Sequence, residues 1–197
     1  SWPVPFSSTQ RDHMRNLVYD VAMSLDGFIA GPGGDVSRFL SAGDHVDAYF
    51  ARLAAYDTTV MGRATYEFGY AFGMAPGARA YPHMTHHIYS RTLELPADSQ
   101  VEVVRDDAAS HVAALKATDG GDIYLCGGGR FAGALLAAGL IDRLIVKLNP
   151  ILLGEGAPLF HGARADLTLL DSRRYESGVV LLTYDVSAGY RSAARPR

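Results

Sequence analysis

Apolar positions along the chain switch between two rhythms. Asn16–Met23, Thr58–Met61, His87–Tyr89, Val101–Val104 and Ile123–Cys126 are short runs with the length and β-branched or aromatic content of buried strands. Between them the period lengthens. Val46, Tyr49, Phe50 and Leu53 recur at i, i+3, i+4 and i+7 behind Asp44, which predicts a helix capped by Asp44 with these four on its inner face. Further helices are predicted from about Ala64, from about Asp107 with Val112 and Leu115 turned inward, and after Gly127–Gly129. Strands separated by helices need crossover connections, so the expectation is a largely parallel sheet with helices on both faces. The rhythm changes near the end. Leu144–Leu148, Leu167–Leu170 and Val179–Val186 follow one another without a helical segment, and Arg173–Gly178 reads as a hairpin connection, so the sheet should finish antiparallel.

Composition narrows the class. The chain has 197 residues, enough for one domain that buries roughly 70% of its unfolded surface. That domain is expected over residues 15–186, between an N-terminal arm (1–14) and a loose Ala/Ser/Arg-rich tail (187–197) that contains Arg191, Arg195 and Arg197. A net charge of −3 gives no general attraction to nucleic acid, so any anion must be held locally. The apolar stretch Ile141–Leu153 is broken by Asp142, Arg143, Lys147 and Asn149, which excludes a membrane span. A single cysteine, Cys126, excludes an internal disulfide, and a reducing cytoplasm is the expected compartment.

Two turns stand out chemically. Ile123–Cys126 runs straight into Gly127-Gly128-Gly129, followed by Arg130, Phe131 and a helical stripe. Glycines at that junction let a phosphate reach the unpaired N–H groups that open a helix. Thr58–Met61 likewise ends at Gly62, with Arg63, Ala64 and Thr65 opening the next helix. A third strand end supplies Ser90, Arg91 and Thr92. Two arginines beside hydroxyls suit a ribose phosphate, because a guanidinium grips phosphate oxygens with paired hydrogen bonds, and this favours NADPH over NADH. The strand after the triple glycine carries Lys147 and Asn149 where an acidic partner for a ribose diol would stand, so this is no ordinary Rossmann fingerprint.

The order of five motifs resembles the dihydrofolate reductase superfamily, and within it the reductase domain of bacterial riboflavin biosynthesis and its stand-alone relatives. The motifs are Ser24–Ala30, Met61–Glu67, Tyr89–Leu93, Gly127–Gly129 and Pro150–Phe160, and the likeness runs from about Arg15 to Val186. The resemblance implies a three-layer α/β fold with a mixed sheet of about eight strands, bound NADPH, a small-molecule substrate and a homodimer. It implies that Ala22 and the loop Asp26, Gly27, Ile29 and Ala30 border the nicotinamide. Gly62–Thr65 would hold the pyrophosphate and Ser90 and Arg91 the 2′-phosphate, with the triple-glycine turn, Cys126 below it, on the pyrophosphate and nicotinamide side. The acidic residue by which dihydrofolate reductases recognise a pterin aligns at Val46 or Asp47, and their threonine aligns near Pro158. The implied substrate is therefore a ribosylaminopyrimidine phosphate, reduced at its ribosyl group. A pterin reductase and a non-catalytic NADP(H)-binding module are the competing expectations.

Hydride transfer also needs a proton. A carboxyl whose pKa is raised by burial could deliver it, and Asp47 and Glu155, with Asp44 behind them, are the expected donors. His83, His86 and His87 cluster in sequence, but their spacing is unlike a helical zinc pair and adjacent strand residues face opposite ways, so no metal is expected. Cys126 reads as a buried structural thiol.

Overall fold

The computed structural model describes residues 14–187; the arm up to His13 and the tail from Ala188, with the arginines noted there, lie outside the described residues. Ten strands follow in chain order: β1 (Leu17–Ser24), β2 (Phe28–Ala30), β3 (Thr58–Gly62), β4 (Thr85–Tyr89), β5 (Glu102–Val104), β6 (Ile123–Gly127), β7 (Arg143–Asn149), β8 (Ala157–Pro158), β9 (Thr168–Arg174) and β10 (Val180–Asp185). Eight form one sheet in the order β5-β4-β3-β6-β1-β7-β10-β9. Every pairing from β5 to β7 is parallel, and β10 is antiparallel to both β7 and β9. The expected mixed sheet with a C-terminal hairpin is therefore what forms. The hairpin turns at Tyr175–Val179, because β9 extends to Arg174 through residues expected in the connection. A second sheet, β2 against β8, was not foreseen; strands of three and two residues carry no readable period.

Among the described residues four α-helices cover the sheet: α1 (Asp44–Ala55), α2 (Arg63–Phe68), α3 (Ala108–Lys116) and α4 (Gly129–Ala137). Alternate residues of each strand show which face they serve. Leu17 and Tyr19 of β1 and Ile123 and Leu125 of β6 share a core with Val112 of α3 and Ala132, Leu135 and Leu136 of α4. Val18 and Tyr124, one step along the same strands, pack instead with Leu53 of α1 and Tyr56. Met61 and Ile88 join Tyr66 of α2 in a third cluster. Burying each such side chain contributes about 1.5–3 kcal/mol, so the period-two pattern itself selects helices on both faces.

Two details of the helices differ from the expectation. Gly43 occupies the N-cap of α1, while Asp44 begins the helix and accepts from the Glu176 N–H at 3.1 Å, tying α1 to the hairpin turn. The inner face runs along His45, Tyr49 and Leu53, spaced i, i+4 and i+8, which rotates Phe50 out to 61% exposure. The helix expected from about Asp107 is α3, and Asp107 caps it, accepting from Ser110 N at 3.1 Å. At the far edge of the sheet Arg15 is buried, bound to Asp57, to Thr58 Oγ1 at 2.9 Å and to the Gly121 carbonyl at 2.7 Å; these bonds close the end opposite the glycine turns.

Candidate active site

The strands part where the glycine turns begin. β1 pairs with β6 only at Leu17–Tyr19 against Ile123–Leu125; beyond that β1 follows β7 while β6 follows β3 to Gly127. A cleft of about 550 Å³ opens at this carboxyl edge, within the size range of ligand sites. Gly62, Arg63, Ala64 and Thr65 line it together with Cys126, Gly127, Gly128, Gly129, Arg130 and Phe131, so the two turns face one space. Ile29 and Ala30 border the same cleft, with Val21, Phe68 and His161, whereas Asp26 and Gly27 do not.

The three glycines divide their work. A Cβ on Gly127 or Gly128 would meet nothing nearer than Thr65 Oγ1 at 3.5 Å, so their backbone stands open to the cleft, and Gly127 has φ +140°. A Cβ on Gly129 would instead strike the Pro158 carbonyl oxygen, and one on Gly133 the His161 carbonyl. These two glycines admit the 158–161 segment against α4, where His161 N–H donates to Gly129 O at 3.2 Å. Gly129 therefore serves the packing of this segment as well as lining the cleft.

A basic rim borders the cleft. Arg63 bonds Glu67 Oε1 at 2.8 Å through Nε and Thr92 Oγ1 at 2.8 Å through Nη1, and remains 43% exposed. Ser90 Oγ accepts from Thr92 and Leu93 N–H groups and so keeps its own hydroxyl proton to donate. Arg105, missed in the sequence, donates to the carbonyls of Arg91 and Leu93. Ser90 and Arg91 do not line the cleft itself; they lie on the loop that Arg63 reaches through Thr92.

A smaller cleft of about 240 Å³ adjoins the next residue of β1. Ala22 lines it, with Leu40, Ser41, His45, Val46, Tyr49, Phe50, Lys147 and Asn149. Consecutive residues Val21 and Ala22 thus border the two clefts, as opposite faces of a strand require. Lys147 pairs with Ala22 in the sheet, and its Nζ lies 3.1 Å from Asp20 Oδ1 and 3.5 Å from the centre of the Tyr49 ring. Asp20 has no exposed side-chain surface and is gripped a second time by Arg52, with Nε to Oδ2 at 2.7 Å and Nη2 to Oδ1 at 3.2 Å. Burial pushes the Lys147 pKa below the usual lysine range, which the neighbouring Asp20 carboxylate opposes. Burial likewise raises the Tyr49 hydroxyl, which shares a 2.7 Å hydrogen bond with Tyr124 and stays protonated. Among this cleft's lining residues His45 has Nε2 3.0 Å from the Leu40 carbonyl, while its Nδ1 has no partner.

The expected proton donors do not meet here. Asp47 and Glu155 are exposed and line neither cleft, and Asp44 is held by the hairpin turn. Val46 lines the small cleft while Asp47 points away, so α1 offers the cleft no carboxylate. Asp26 proves to be a loop clamp. Its carboxylate accepts from Ser24 Oγ at 2.6 Å, Gly154 N at 2.7 Å and Leu153 N at 3.1 Å, bonds that push its pKa down to about 2. Burial raises the Cys126 thiol, which therefore stays protonated. His83 and His86 are spent on local contacts: His83 Nε2 lies 2.9 Å from Leu53 O, and burial lowers the His86 pKa to about 4 while its Nδ1 lies 3.0 Å from Met84 O.

The family model described as the RibD C-terminal domain matches residues 15–181. The YyaP protein of Bacillus subtilis is 30% identical over 183 residues, covering 86% of this chain and 94% of its own. Among solved structures, a Shewanella sp. PV-4 protein assigned to riboflavin biosynthesis superimposes with a TM-score of 0.73 at 26% identity, covering 88% of this chain and 99% of that one. The Enterococcus faecalis dihydrofolate reductase, solved with NADP(H) and RAB-propyl, shares the fold, with a TM-score of 0.63 at 19% identity over 87% of this chain and 96% of its own.

Proposed function

Because the chain belongs to the RibD C-terminal domain family, we propose that it is an NADPH-dependent reductase of a small ribosylated heterocycle. The observation that carries this reading is the meeting of the two clefts across Val21 and Ala22, one lined by both glycine turns and the other by a buried ammonium. The larger cleft fits the dinucleotide: open glycine backbone at 127 and 128 for the pyrophosphate, Arg63 and the Ser90–Arg91 loop for the 2′-phosphate, and Val21, Ile29 and Ala30 for an apolar ring. Bound there, NADPH would supply the hydride.

The chain's own residues supply orientation, a dry floor and a proton. Lys147 is proposed to donate its Nζ proton to the oxygen or nitrogen of the substrate bond whose carbon accepts the hydride. Its lowered pKa makes it a stronger acid than an exposed lysine, and the Tyr49 ring with Asp20 fixes where it points. A small cleft with a cation and no carboxylate suits a carbonyl or imine bearing a phosphate better than a protonated pterin.

The test is NADPH absorbance followed with the ribosylaminopyrimidine phosphate and, separately, with dihydrofolate. The first should be consumed and the second not. If neither is consumed while NADPH binds tightly, the substrate assignment fails and only the cofactor claim survives. Arg63→Ala should weaken NADPH by about 10- to 100-fold, from the roughly 1.5–3 kcal/mol of a charged hydrogen bond, and NADH by less. Equal losses for both cofactors, measured by fluorescence titration, would remove Arg63 from the 2′-phosphate.

Self-association belongs to the same proposal. Every residue of the edge strand β9 is exposed, including Leu169 and Leu170 at 53% and 50%, with Leu167 beside them at 42%. An apolar, unpaired edge of this kind is a template for a second copy. Leu169→Glu is expected to shift a dimer to monomer in sedimentation; a wild-type monomer at working concentration would overturn the assignment.

A further inference from the structure

Away from both clefts, on the outer strands β4 and β5 and helix α3, three residues distant in sequence converge. The potential ligand atoms of His87, Glu102 and His111 all lie within 4.8 Å of one another. Adjacent strand residues face opposite sides of a sheet, which separates His87 from His86 and turns it toward α3. Parallel pairing sets His87 directly against Glu102, and α3 brings His111 above both, its ring 5.2 Å from that of His87.

From this geometry we propose that His87, Glu102 and His111 form a binding site for a divalent transition-metal ion, of which zinc is the natural occupant. His87 Nδ1 is buried and in charge contact with Glu102 Oε2 at 2.7 Å, without a hydrogen bond of good geometry to any group. An ion seated between them would take the place of a proton and bind the Nδ1 lone pair and the carboxylate together. His111 is prepared in the way a metal ligand usually is. Its Nδ1 shares a 2.8 Å hydrogen bond with Tyr89 OH, and with the proton on Nδ1 the free lone pair belongs to Nε2, 3.7 Å from Glu102 Oε1. Tetrahedral zinc with bonds near 2.0–2.1 Å holds its ligand atoms about 3.3 Å apart, a value bracketed by the 2.7 and 3.7 Å separations of the two imidazoles from the two oxygens of the half-exposed Glu102. Two imidazoles and a carboxylate leave a fourth position for water, and this mixed nitrogen and oxygen set prefers zinc to calcium or magnesium.

The ion would cross-link β4, β5 and α3. It would also sit one residue from the cofactor cleft, because the Tyr89 ring that orients His111 stacks at 4.8 Å on Phe131, a lining residue there. The proposal does not depend on NADPH binding or on turnover.

The experiment titrates untagged, metal-stripped protein with Zn²⁺ by calorimetry and repeats it with Co²⁺ by visible absorption, both without cofactor. One ion per chain, a rise in melting temperature and the cobalt bands of a low-coordinate site are expected. Glu102→Gln and His111→Ala, both at accessible positions, should each weaken zinc at least tenfold. Tyr89→Phe, which keeps the ring, should weaken it by about tenfold, in line with the effect of outer-shell partners. His83→Ala should bind as the wild type does. Absence of zinc binding, or zinc binding indifferent to both ligand substitutions, overturns the site.

Discussion

Lys147→Met is expected to lower kcat by about 10²- to 10⁴-fold, the usual contribution of a positioned proton donor, while leaving NADPH affinity unchanged. Methionine keeps much of the side-chain volume against the Tyr49 ring but has no proton to give. Asp20 then retains its second partner, Arg52, so the variant should fold. Lys147→Arg should not restore the rate, because a guanidinium does not release its proton in this range. The pH profile supplies a readout that a structural role would not move. A donor must be protonated to act, so the wild-type rate should fall as pH rises through the Lys147 pKa, which burial places below the usual lysine range. The methionine variant should lack that alkaline limb. An unchanged kcat, or a limb that survives the substitution, would show that the proton comes from elsewhere.

Asp20→Asn carries the largest expected loss of stability. The wild-type carboxylate, without exposed surface, is the shared partner of Arg52 and of the buried Lys147. The amide preserves shape and removes the charge, leaving two cations in a poorly solvated place. Breaking a buried ion pair by removing one partner costs about 3–5 kcal/mol. For a chain of this size that is a fall in melting temperature of about 6–20 °C. Urea denaturation should show the same loss with the slope unchanged. A double variant, Asp20→Asn with Lys147→Met, should recover part of it, since one uncompensated charge disappears. A single variant within about 1 kcal/mol of the wild type would mean that solvent, rather than Asp20, balances these cations.

The two predictions concern residues that the sequence left in the background. In the sequence Lys147 stands out as a break in an apolar run and as a non-acidic residue after the triple glycine, and Asp20 does not stand out. A signal was available: each is a charged residue embedded in an apolar strand, Val18-Tyr19-Asp20-Val21 and Ile145-Val146-Lys147-Leu148. Charges in such runs are rarely buried unless paired. Asp44, Asp47 and Glu155 drew attention instead because they stand near recognisable helix starts and glycine turns. Proximity in sequence to a motif did not bring them to either cleft. The expectation of no metal weighed three neighbouring histidines, whereas the side-chain group that meets in the fold takes only His87 from them and adds Glu102 and His111.

Local chemistry determined what the sequence could determine by itself. The alternation of short apolar runs with helical periods set the parallel sheet and its antiparallel end, because burial rewards those periods wherever they occur. The turns at Gly62–Thr65 and Gly127–Arg130 were legible for the same reason, since a missing side chain between strand and helix is a local fact, and their order identified the family. Tertiary structure alone decided what faces what. It turned both glycine turns into one cleft, set Ala22 beside Lys147 through strand register, gave Gly129 a packing contact with the 158–161 segment, and gathered His87, Glu102 and His111. Those encounters depend on which strands neighbour one another and in what register, and no period along a single segment records its partner.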